Sequence, residues 1–169
     1  VNELLAKGKS VQMMAAHQFN WEYASQVIPP ALRGPYYFVY RTIQSPAFNQ
    51  LFLYLRCKRG GRAIAAEDFL QKRDEIFSQP AALILGADQI AHNAAMVMLR
   101  LQRKKRGYYH LDAQLITENA ADYTVDALTW LYKKEAERVI LEDPTNYLWS
   151  HRRWRHEWNS TYDPIYQGE

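Results

Sequence analysis

SVQMMAAHQFNWE, residues 10–22, decides how the chain is read. Residues 10–16 form an uncharged, mostly apolar run, which suits a strand buried on both faces. The run stops at His17. Asn20, a favoured N-cap residue, then opens a helix predicted over 20–28 and broken by Pro29-Pro30. On one continuous helix His17 and Glu22 would sit roughly 140° apart, at about 100° per residue, and could not share a face. A strand ending at His17 changes that. It leaves the histidine on the turn and the acid in the first helical turn, where the helix dipole favours negative charge. A candidate base and its orienting carboxylate are thereby brought together at a strand's carboxyl end.

The same pattern repeats along the chain. YYFVYR (36–41) is rich in aromatic and branched residues and reads as a strand. Pro46 suits the start of a helix running to about Lys58, and Gly60-Gly61 ends it. RAIA (62–65) is a short strand, EDFLQKRDEIFS (67–78) an amphipathic helix closed by Pro80, and AALILGA (81–87) a buried strand. MVMLRLQ and YYHLDAQLI form a hairpin across the basic turn RKKRG, and a long helix spans about Val125 to Leu141 before Pro144. Strands and helices interleave throughout. The expected class is therefore α/β, a mixed central β-sheet flanked by helices.

With 169 residues, of which 48% are hydrophobic and 14% aromatic, the chain can build one sizeable core and is read as one domain over 1–169. VNELLAKGKS reads as the last turns of a helix, so the domain is expected to be truncated at its amino terminus. The formal charge of +3 is modest, but basic residues gather in RLQRKKRG (100–107) and HRRWRH (151–156), which points to an anionic partner. Cys57 is the single cysteine, so an internal disulfide is excluded and no thiolate metal cluster can form. His151 with His156 lacks an accompanying ligand set of usual spacing, and no metal or cofactor is expected. No run is long enough to span a bilayer.

Three blocks together resemble the lipid A biosynthesis acyltransferases, the late acyltransferases of lipopolysaccharide assembly, of lauroyl or myristoyl type. They are HQFNWE (17–22), the pair Asp88-Gln89 after AALILGA, and PTNYLWSHRRW (144–154). The match runs over most of the chain. HxxxxE alone is a weak pattern, but its order with a downstream arginine segment, a strand leading to Asp-Gln, and the Tyr-Leu-Trp-x-His-Arg-Arg tail is specific. One departure is Ala87, where the family commonly has proline. The family also carries a longer stretch after this block, so either this protein lacks an active-site flap or, the preferred expectation, a segment is missing between residues 89 and 90.

The resemblance implies a glycerolipid-acyltransferase-like fold. It implies transfer of a fatty acyl group from an acyl-carrier-protein thioester, with acyl-CoA as the alternative donor, to a hydroxyl of a lipid A precursor. The expected place of work is the cytoplasmic face of a Gram-negative inner membrane. An alcohol needs a positioned base, a contribution of typically about 10²- to 10⁴-fold, and His17 is the candidate with Glu22 holding the imidazole. No acyl-enzyme is required, which leaves Cys57 as packing. Arg56, and less strongly Arg59, would meet an oxyanion or a phosphate. The competing reading is a solvated basic helix end made by Arg56, Lys58, Arg59 and Arg62. Asp88 and Gln89 would orient the arginine or the acceptor, against a plain helix-capping role.

Arg103, Lys104, Lys105 and Arg106 fit either a solvated hairpin tip or a contact with an anionic leaflet or carrier protein. In the tail, Arg152 and Arg153 are assigned to structure or anion contact, and Trp149 and Trp154 to core or interface anchoring. Two rival functions remain. One is acylation of another acceptor, a glycerophospholipid or an aminoacyl lipid. The other is a non-catalytic module that binds lipid or nucleic acid through its interleaved basic and aromatic residues, although no nucleic-acid partner is expected.

Overall fold

Val11 to Ala15 form β1, the central strand that the uncharged run requires. In this computed structural model, which describes residues 1–15, 21–85, 94–147, 149 and 159, β1 lies between two parallel neighbours and four of its five residues are buried. Chain order gives α1 (Asn2–Ala6), β1, a 3-10 turn (Trp21–Tyr23), α2 (Ala24–Ala31), β2 (Tyr36–Tyr40), α3 (Pro46–Cys57) and β3 (Gly61–Ala65). It continues with α4 (Phe69–Ile76), β4 (Ala82–Leu85), the hairpin β5 (Ala95–Lys105) and β6 (Tyr108–Thr117), and α5 (Val125–Glu142). The six strands form one sheet in the order β3-β2-β4-β1-β5-β6. All neighbours are parallel except β5 and β6, so the sheet is mixed, and helices cover both its faces.

Alternation along the strands sorts the core into layers. Val11 and Met13 of β1, Tyr36 and Phe38 of β2 and Val97 and Leu99 of β5 pack with Leu4 and Leu5 of α1 and Ala24 and Ile28 of α2. The opposite face carries two clusters. Met14, Met96 and Met98 meet Leu128, Tyr132, Ala136 and Val139 of α5, and Ile64 and Leu83 meet Phe69 and Ile76 of α4. The α5 contacts recur at helical spacing, as a single apolar stripe demands. Each fully buried side chain of this size is worth about 1.5–3 kcal/mol, so the sheet centre dominates stability. Gln12 is buried on the α5 side, where its Nε2 donates to Met14 Sδ at 3.2 Å.

Several boundaries differ from the sequence reading, first the helix predicted from residue 20: α2 begins only at Ala24, behind the 3-10 turn Trp21–Tyr23 that holds Glu22. α2 does not break at Pro29-Pro30 but includes both and ends one residue later, at Ala31. The prolines remove backbone donors only in the last turn, where the helix is about to stop anyway. Asn2 caps the end: its Nδ2 donates to Ala31 O at 2.9 Å and its Oδ1 accepts from Arg33 N at 2.9 Å. The hairpin strands also run further into the basic segment than expected. Arg103 to Lys105 belong to β5, and the turn narrows to Arg106 and Gly107, the latter at φ 78°, a left-handed conformation open to glycine at little cost.

Candidate functional site

Glu22 lies in the 3-10 turn that leads into α2, and the hydroxyl of Ser25 donates to its backbone carbonyl at 2.7 Å. Its carboxylate receives a fork from Arg56 near the end of α3: Nε donates to Oε2 at 3.0 Å and Nη2 donates to Oε1. Planar two-point pairing of this kind is the strongest geometry a carboxylate and a guanidinium can adopt. The arginine side chain is 11% exposed and the glutamate 31%, so the pair is shielded from water on its arginine side. A second bond joins the helices, from Gln26 Nε2 to Leu55 O at 2.6 Å.

The floor beneath the pair is aromatic. Phe52 puts its ring centroid 5.4 Å from the Arg56 guanidinium carbon, and the buried Tyr36 lies close enough to feel both charges. Burial pushes the Tyr36 phenol far above its ordinary range; Arg56 offsets part of that rise and Glu22 adds to it. Tyr36 is therefore a neutral phenol throughout the physiological range. Gly61 permits the arrangement. A Cβ there would stand 2.7 Å from the backbone oxygen of Arg56 and 3.4 Å from Tyr36 and Phe38. The glycine that the sequence marks as a helix breaker also lets the end of α3 settle onto the first residues of β2 and β3.

Of the expected site residues, then, the structure brings Glu22 and Arg56 together. Arg59 sits exposed in the turn after α3. His17, Asp88, Gln89, Arg152 and Arg153 lie outside the described residues, as do Trp154, the two tail histidines and the expected junction between 89 and 90. Arg103, Lys104, Lys105 and Arg106 are exposed at the hairpin tip, where Lys104 Nζ donates to Gln102 Oε1 at 2.8 Å and Lys105 lies 4.2 Å from the Tyr108 ring centroid. Cys57 is half-buried against the main core, in keeping with packing.

Trp149 is not a core residue: it is exposed, edge-on to Tyr147, with its indole N–H donating to Pro144 O at 2.8 Å. The turn Pro144–Asn146 after α5 is fastened to the sheet by Asn146, whose side-chain amide donates to Leu101 O of β5. A depression of about 450 Å³ lies at the amino ends of β1 and β4, lined by residues that include Ser10, Phe77 and Pro80. None of the pair belongs to it. Sequence reasoning missed Tyr36, Ser25, Gln26 and the role of Gly61, because nothing in local periodicity tells which side chains α2 and α3 present to each other.

No protein-family model matches the chain, and no curated protein matches it.

Proposed function

We propose that the protein is an acyltransferase that moves a fatty acyl group from a carrier-protein thioester to a hydroxyl of a lipid A precursor, with His17 as general base. The observation that supports this reading is the anchoring of Glu22. A carboxylate that orients a catalytic imidazole must itself be fixed, and the Arg56 fork fixes it five residues after His17. A carboxylate offers roughly four acceptor sites, so two bonds from arginine leave room for an imidazole N–H. Arg56 in this reading acts through Glu22, and a contact with an oxyanion or phosphate would divide its guanidinium between carboxylate and substrate.

The chemistry runs without a covalent enzyme intermediate. The neutral imidazole of His17 takes the proton of the acceptor hydroxyl as its oxygen attacks the thioester carbonyl. Glu22 stabilises the imidazolium that results. The tetrahedral oxyanion collapses, the carbon–sulfur bond breaks, and the proton passes from imidazolium to the departing thiolate. Products are the acyl ester and the free carrier thiol. The membrane is the natural place for such an acceptor; among the described residues, no helix is long and apolar enough to cross one.

Incubating the protein with acyl-carrier-protein thioester and a Kdo-lipid A acceptor, then weighing the acceptor by mass spectrometry, tests this directly. A gain of one acyl group supports the proposal. Acylation of a glycerophospholipid or aminoacyl lipid in its place overturns the acceptor assignment, and no acylation of any acceptor overturns the enzyme.

A further inference from the structure

α3 is built inside out. Its one buried residue is Arg56, 9% exposed, while Phe48, Leu51, Tyr54 and Leu55 are 58%, 48%, 62% and 38% exposed. At about 100° per residue these four fall within roughly 120° of the helix circumference, and Arg56 points roughly 140° away from Leu51. An outward apolar stripe of this kind on a water-facing helix marks a contact surface. Its charge surroundings indicate the contact. Between Glu22 and Glu67 the sequence has no acidic residue, yet it carries Arg33, Arg41, Arg56, Lys58, Arg59 and Arg62. Lys58 is exposed directly after α3, and Arg41 is exposed just past the end of β2, five residues before α3 begins.

We infer that α3 is an interfacial helix that lies on an anionic lipid bilayer, its apolar stripe among the acyl chains and its flanking cations at the headgroups. Apolar area combined with flanking lysine and arginine is what such binding needs, and the one-sided charge favours a lipid surface over a second copy of the same basic face, which would repel it. The inference names the docking element of the enzyme proposed above and rests on that reading only for the presence of a membrane.

Sedimentation of the protein with vesicles of phosphatidylcholine, with and without phosphatidylglycerol, tests it. Binding to the anionic vesicles is expected. Phe48→Ser with Leu51→Ser, and separately Arg41→Glu with Lys58→Glu, should each weaken it by about tenfold or more. Far-ultraviolet circular dichroism checks that each variant is folded; the charge pair leaves every apolar residue of the stripe in place and removes only the Lys58 ammonium 6.0 Å from the Tyr54 ring centroid. Equal binding by wild type and both variants overturns the inference. So does wild-type self-association that the serine variant abolishes, because a second copy then covers the stripe. Transfer to a detergent-dispersed acceptor is read alongside: transfer without vesicle binding overturns the inference and leaves the enzyme, whereas α3-dependent binding without transfer does the reverse.

Discussion

Arg56 donates two hydrogen bonds to the carboxylate of Glu22, a residue 34 positions earlier in the chain, and so joins the opening of α2 to the end of α3. The pair is worth more as a constraint than as a source of stability. Desolvating a guanidinium offsets much of the attraction it gains, while removing one partner strands the other.

That asymmetry gives the first prediction. Arg56→Ala should destabilise the fold by about 2–3 kcal/mol, below the upper range for buried pairs because Glu22 is partly exposed. Arg56→Lys, which keeps the charge but loses the fork and the flat contact with Phe52, should recover less than half of that. In urea denaturation, the Glu22→Ala, Arg56→Ala double mutant should fall short of additivity by about 1 kcal/mol or more; strict additivity would mean the two residues are uncoupled.

Gly61 should tolerate no side chain, although its φ is unexceptional. Gly61→Ala drives a methyl group against the Arg56 carbonyl, where a Cβ would stand at 2.7 Å, and is expected to cost about 1–3 kcal/mol. Gly34→Ala is the control, since its nearest contact would be an ordinary 3.5 Å from the Leu5 side chain. Equal melting temperatures for the two variants would contradict the close approach.

The α5 stripe can be tested by truncation. Leu128 is 0% exposed beneath three methionines of β1 and β5, so Leu128→Ala should cost about 2–5 kcal/mol. Leu141, on the same helix but exposed, should change stability by less than about 0.5 kcal/mol on the same substitution. Chemical denaturation of both variants provides the comparison.

Glu118 contributes to acid stability at the surface. Lys9 Nζ stands 2.7 Å from Glu118 and holds its carboxyl below the ordinary value of 4.5. The unfolded chain therefore binds that proton more readily than the folded one. The stabilisation is complete above the ordinary carboxylate pKa and is lost as pH falls through the lowered folded value. Glu118→Gln should flatten the acid limb of a melting-temperature profile slightly and leave its neutral region almost unchanged, as befits an exposed pair.

The layers of this fold were legible because strand and helix periods differ. The uncharged run at 10–16, the aromatic strand at 36–41 and the hairpin around the basic turn all announce themselves by local pattern. Strand order is different. Nothing local tells β1 to sit between β4 and β5, since each of the three offers a neighbour only an apolar, largely buried stretch, the first half of β5 included. α3 shows a second limit. Apolar periodicity locates a helix face but not what it faces, and here Arg56 turns inward because Glu22 meets it there. At the site, spacing singled out Glu22 and Arg56 separately. Their pairing depends on how two helices cross, which a one-dimensional pattern does not carry.

The most direct measurement is the initial rate of acyl transfer from carrier-protein thioester to the lipid A precursor for wild type, His17→Ala and Glu22→Gln, each shown to be folded. Loss of a general base should lower the His17→Ala rate by about 10²-fold or more, with Glu22→Gln impaired less severely. The wild-type rate should fall in acid, where protonation removes the neutral imidazole that serves as base. Near wild-type turnover in His17→Ala would contradict the account.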